Sequence, residues 1–158
     1  LHGLTDHPRK GAPHSRHHAE NDPQVLIITP LEERGAHSTF GAVYGHDGLP
    51  LIEQMSFRMP GITMDSILRS GQIPEPPSLI KIDVDGIEHL ILEVAHDVLR
   101  LPTLRSVLVE VNDQFRELAF EVIRQLTDAG FELQSKRHSK MFESGQYSTS
   151  FNQIWTRL

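Results

Sequence analysis

Three carboxylates stand close together in the run Lys81-Ile82-Asp83-Val84-Asp85-Gly86-Ile87-Glu88. Acids at this spacing can take up a proton, anchor a hydroxyl or hold a cation. The same three can instead serve structure. Asp85 before Gly86 is a good turn residue, and Glu88 suits the first turn of a helix, where it meets the positive end of the dipole. Glu110 and Asn112 form a second polar pair, at the end of the apolar run from Ser106 to Val111. A carboxylate there is either paired and hydrogen-bonded or functional, because an isolated buried charge is costly. Asp65 is a further acid, in the first turn of a short predicted helix, and it complements that helix's dipole. His89 falls off the neighbouring apolar stripe and is expected at the surface.

Two metal readings fail on spacing. Asp83-Val84-Asp85-Gly86 has the outline of a calcium loop, but aligning Gly86 to the loop glycine puts Lys81 at the first ligand position and Leu92 at the last. Both positions need acids, and a strand rather than a helix precedes the run. His14, His17 and His18 are metal-capable, yet Pro8, Gly11 and Pro13 argue against a preformed site there. No metal site is assigned: the three acids close together allow a divalent metal, but nothing in the sequence requires one.

The elements that must position these residues can be read from periodicity. Leu79, Ile80 and Ile82 begin a strand that ends at Asp83. After Gly86 the period changes, with Ile87, Leu90, Ile91, Val94, Ala95 and Val98 on one helical face. The chain thus runs strand, acidic turn, amphipathic helix, and the acids fall at the carboxyl end of a strand, where open α/β sheets bind ligands. Ser106 to Val111 reads as a strand buried on both faces. Phe115, Leu118, Ala119, Val122, Ile123 and Leu126 mark another helix, with Gly130 as its cap. Phe131 to Gln134 is a strand, Lys136 to Ser150 a polar loop, and Phe151 to Arg157 the last strand. Because no helical pattern joins the last two strands, the final one is expected to be antiparallel. Upstream, Gln24 to Thr29 and Leu51 to Met59 are candidate strands, and Thr63 is the expected N-cap of a helix stopped by Gly71. Gly35, Gly41, Gly45 and Gly48 are assigned to turns, since no strand leads into them and no helix follows. Leu1 to Asp22 is expected to be a flexible polar segment.

At 158 residues, this is at most one ordinary domain. A net charge of −6, with no basic cluster beyond the first 18 residues, argues against nucleic acid as a partner. No apolar run is long enough to cross a membrane. Without cysteine there is no disulfide framework and no thiolate zinc site. No signal peptide is visible and the first residue is Leu, so the chain is expected to be trimmed or a piece of something longer, with the cytoplasm as default compartment.

The central stretch resembles the signature of the FkbM-type methyltransferases, approximately apolar-Lys-apolar-Asp-apolar-Glu-Gly-x-Glu. Ile80, Lys81, Ile82, Asp83, Val84, Gly86 and Glu88 match it, and Asp85 stands where the family usually has Glu. Val94 stands where the family often has Gly. Thr63 to Leu68, Val107 to Val111 and Asn152 to Trp155 resemble flanking family segments, so the likeness covers Thr63 to Leu158. It implies the C-terminal half of a Rossmann-like class I methyltransferase sheet, parallel strands closed by an antiparallel hairpin. It implies S-adenosyl-L-methionine as cofactor and a small-molecule hydroxyl, on a sugar, polyketide or similar metabolite, as acceptor. Asp83, Asp85 and Glu88 would be catalytic, with Asp83 near the sulfonium and Asp85 or Glu88 as base or hydrogen-bond anchor. Lys81, Glu110 and Asn112 would bind substrate, and Asp65 and Asp83 the cofactor.

The family's glycine-rich turn, approximately Asp-x-Gly-Ala-x-x-Gly, and its second strand ending in an acid have no counterpart in this sequence. Residues 1–158 are therefore expected to form a single, partial methyltransferase domain. Its central strand would be a bare apolar edge, needing a missing N-terminal segment or another chain such as a homodimer partner. The rival reading is a non-catalytic methyltransferase-like remnant used for binding or dimerisation.

Overall fold

The computed structural model describes residues 23–29, 38–138, 145 and 147–157. Two sheets are present among them. The smaller is antiparallel, in the order β2-β1-β3, from β1 (Pro23–Ile28), β2 (Ser38–Phe40) and β3 (Met55–Pro60). The expected strand from Gln24 is therefore present. β2 lies inside what reads as loop, because three residues are too few to show a period, and the residues before Met55 stay irregular. Leu26 pairs with both Phe40 and Phe57, and Ile28 faces Met55, so one face of this sheet is apolar.

Helix α1 (Met64–Ser70) follows. Its cap is the expected one: the Thr63 hydroxyl accepts from the Ser66 N–H at 3.1 Å, and Gly71 ends the helix at φ 69°.

The larger sheet has the order β4-β5-β7-β6, from β4 (Leu79–Ile82), β5 (Ser106–Asn112), β6 (Glu132–Arg137) and β7 (Ser150–Thr156). β4 and β5 are parallel, while β7 is antiparallel to both of its neighbours, β5 and β6. The last strand is thus antiparallel as expected, and it inserts between β5 and β6. β6 also extends to Arg137, two residues into the stretch read as polar loop.

Between β4 and β5 the single expected helix is two short ones, α2 (Glu88–Glu93) and α3 (His96–Leu99). The break falls at Val94, and a tertiary contact makes it. Asp65 of α1 is buried, and its carboxylate accepts from the N–H groups of Asp97 at 3.0 Å and Val98 at 2.9 Å. It therefore caps the start of α3 and lets a new helix begin. Leu92, off the predicted stripe, is buried, and Val94, on it, is exposed.

Helix α4 (Arg116–Asp128) joins β5 to β6 and presents Leu118, Val122 and Leu126 inward. These meet Val107, Val109 and Val111 of β5, together with Leu92, Leu99, Leu104, Phe131 and Trp155, in one apolar core. Burial of such side chains contributes roughly 1.5–3 kcal/mol each and is the main stabilising term. The core lies on one face of the larger sheet. The opposite face carries Leu79, Lys81, Leu108 and Ile154, of which Leu79 is 62% exposed. β4, as the sequence implies, is an edge strand. No helix among the described residues is long and apolar enough to cross a membrane.

Candidate functional site

Where β4 ends, the chain turns through Asp83 to Ile87 into α2. The N–H of Gly86 bonds the Val84 carbonyl at 3.1 Å, and Gly86 adopts φ 98°, a conformation that favours glycine. A second constraint acts at the same residue. A Cβ built there would lie 2.4 Å from the Gly45 carbonyl oxygen, so the loop leaving the small sheet presses directly on the acidic turn. That loop is also tied down by the Ser38 N–H, which donates to Asp85 Oδ2 at 3.1 Å, and by Tyr44, whose ring meets Phe115 edge-on at 5.4 Å. Two segments far apart in sequence are thereby locked against each other.

The result is a small cleft lined by Asp85, Glu88, Glu110, Asn112, His46 and Tyr147. Among the described residues it encloses about 20 Å³, against several hundred for a site that engulfs a small molecule. Glu88 is its deepest acid, 2% exposed, with Oε1 accepting from the Gly86 N–H at 3.4 Å. Burial pushes its carboxyl up from 4.5 to about 8; hydrogen bonds from its own N–H, Gly86 and Val84 oppose the shift, and the charge of Glu110 adds to it. Glu110 is half-buried and also raised, first by burial and then by Asp83 and Asp85, with Lys81 opposing. Asn112 is buried, and its Oδ1 accepts from the Gln114 N–H at 3.0 Å, forming the turn into α4.

The structure thus brings together Asp85, Glu88, Glu110 and Asn112. Asp83 stands just outside, pairing with Lys81 Nζ at 2.6 Å; both side chains are about half exposed. Asp65 is not at the cleft. Both its oxygens hold the start of α3, so the geometry gives it a structural task in place of the expected cofactor contact. His89 corrects its expectation outright: it is buried, its ring meets Phe115 at 6.0 Å, and burial lowers its pKa, with Glu117, Glu121 and Glu93 opposing. His89 shares the buried face of α2 with Glu88 and Leu92. His14, His17 and His18 lie outside the described residues, and among the described ones no group of three acids or histidines is arranged to hold a metal.

His46 and Tyr147 were not legible as site residues. Their rings lie 5.2 Å apart over the cleft, supplied by two loops distant in sequence from the acids. A larger cavity of about 270 Å³, lined by Glu93, His96, Arg100 and Arg124, lies between α2, α3 and α4. It includes none of the acids of the β4–α2 turn.

The acidic turn at the end of an edge strand agrees with what comparison with protein families finds. Residues 18–133 match the methyltransferase FkbM domain. The chain belongs to this family. The match extends upstream of Thr63 to take in the small sheet, so the loop that presses on Gly86 is part of the FkbM domain. No curated protein and no solved structure matches the chain. Membership implies a methyl donor.

Proposed function

We propose that this FkbM domain serves an S-adenosyl-L-methionine-dependent methyltransferase that methylates a hydroxyl of a small metabolite, and that the described residues are its acceptor side. The observation that carries this reading is the pair of raised carboxyls that line one cleft of an FkbM domain, Glu88 at the start of α2 and Glu110 near the end of β5. The sheet order β4-β5-β7-β6, with its inserted antiparallel strand and helices on one face, supports the C-terminal half of a Rossmann-like sheet.

The described residues do not by themselves fit the donor. Their strand-to-helix turns lack a glycine-rich cradle, and the backbone face of Gly86 is already covered by Gly45. When bound, S-adenosylmethionine supplies an activated methyl group. This chain's own part is to hold the acceptor and remove its proton. Asp83 and Asp85 keep the rim negative, Asp85 also orders the turn through Ser38, and Lys81, Glu110 and Asn112 offer polar contacts to an acceptor hydroxyl. Glu88 is the proton acceptor. A base works best when its pKa lies near the operating pH, and such a group contributes about 10²–10⁴-fold. A carboxyl at about 8 meets that condition far better than one at 4.5.

The missing cradle also favours a second reading, a non-catalytic remnant. Calorimetric titration of the chain with S-adenosylmethionine separates the two. Heat of binding that saturates at millimolar donor or below supports the enzyme reading; its absence supports the remnant.

A further inference from the structure

The cavity between α2, α3 and α4 combines apolar lining with unpaired polar groups. Leu92 and Leu99, both buried, supply apolar surface. Arg124 is already committed, donating to Glu121 at 2.7 Å and to Asp128 at 3.1 Å. Arg100 and Glu93 are not: among the described residues neither has an ion-pair partner. Arg100 Nη1 donates to the His96 carbonyl at 3.3 Å and to His96 Nδ1. A guanidinium only donates, so Nδ1 accepts and the ring proton sits on Nε2. His96 therefore offers an N–H donor beside the charge of Arg100. On α4 the side chain of Gln125 bonds Glu121. A carboxylate only accepts, so the amide nitrogen faces Glu121. Gln125 Oε1 is then left buried with no donor among the described residues, a costly state for an acceptor.

We propose that this cavity binds a small zwitterion, an α-amino acid with an apolar side chain. The unpaired groups select it. The ligand's carboxylate takes the two donors of α3, the Arg100 guanidinium and His96 Nε2–H. Its ammonium takes Gln125 Oε1 and the Glu93 carboxylate. A purely anionic ligand would satisfy Arg100 but leave Glu93 as a repelling charge, and a purely cationic one would do the reverse. The apolar side chain covers Leu92 and Leu99. Size agrees. The cavity holds about 270 Å³, just below the range of roughly 300–1,000 Å³ for drug-sized ligands. It has room for a single amino acid and not for a nucleotide or a peptide. None of these residues lines the acid cleft, so the site is separate from methyl transfer.

NMR titration of the ¹⁵N-labelled chain with L-leucine, L-methionine and L-phenylalanine tests this, with the Arg100 Nε–H and the Gln125 side-chain amide as reporters. At least one of the three is expected to saturate with a Kd of roughly 0.2–5 mM, the range open to so small a ligand. The best binder is then compared with its analogues lacking the amino group or the carboxylate, which for phenylalanine are 3-phenylpropionate and phenethylamine. Each analogue is expected to bind about fivefold more weakly or worse. Arg100→Met and Gln125→Leu are each expected to weaken the amino acid about three- to thirtyfold. Arg100 is exposed, so its replacement leaves the fold intact, and circular dichroism checks both variants. No saturation by any of the three amino acids at about 20 mM overturns the proposal. So do analogues that bind as tightly as the amino acid, an Arg100→Met chain that binds like the parent, or shifts confined to the acid cleft.

Discussion

At the residue scale, Glu88 links chemistry to stability. Its folded-state value of about 8 lies above the ordinary 4.5, so the folded state binds its proton more tightly than the unfolded chain does. That contribution is fully present below pH 4.5 and is lost as pH rises through about 8. It amounts to something on the order of 3–5 kcal/mol across the window. Urea unfolding should therefore show stability falling from pH 5 to pH 8 in the parent and much less dependence in Glu88→Gln. The same proton governs catalysis with the opposite sign: methyl transfer should rise toward pH 8 as the carboxylate forms, and Glu88→Gln should lower it by roughly 10²-fold or more. Gly86 gives a second test. Gly86→Ala combines a positive φ with a Cβ 2.4 Å from a backbone oxygen, a contact no side-chain movement can relieve. A loss of about 2–4 kcal/mol in urea unfolding is expected, since the loop over the acidic turn must shift.

At the scale of elements, the buried carboxylate of Asp65 decides where one helix stops and another starts. Asp65→Ala leaves the N–H groups of Asp97 and Val98 without their acceptor and should cost about 1–3 kcal/mol by thermal or urea unfolding. The sequence made α1, its Thr63 cap, β4, β5 and α4 legible, because each rests on local periodicity and local capping. The split between α2 and α3 was hidden because its cause is a carboxylate some thirty positions upstream, while Ile87 to Val98 keeps a continuous helical period. The burial of His89 was hidden because α2 buries the face of Glu88, His89 and Leu92, which is not the apolar stripe. In the site, Asp85 and Glu88 were legible because they lie in and just after the turn from β4 to α2, and Glu110 and Asn112 because they lie at the end of β5. His46 and Tyr147 were not, because loops bring them there.

At the scale of the whole molecule, one residue ties the closing strand to the helical layer. Arg157, just past β7, donates to the carbonyls of Leu99 at 2.6 Å, Leu101 at 3.1 Å and Ala129, and its guanidinium lies 4.3 Å from the centre of the Phe131 ring. It thus binds carbonyls at the C-terminal ends of both α3 and α4; that of Leu101 also accepts from the Leu104 N–H. Lysine offers a point charge and cannot span three carbonyls, so Arg157→Lys should lower stability by about 1–3 kcal/mol in chemical unfolding. The layer it secures covers only one face of the sheet. Among the described residues no strand pairs with the β4 edge, and the acid cleft sits beyond the carboxyl ends of β4 and β5.

The central claim is that the fold tunes one buried carboxyl in this cleft to serve as a base near neutral pH. It is tested most directly by following the side-chain carboxyl carbon of Glu88 by NMR in ¹³C-labelled protein from pH 4 to pH 10, with Glu88→Gln to assign the signal. The account predicts a midpoint at about 8. A midpoint near 4.5, the ordinary value of a solvated glutamate, would contradict it.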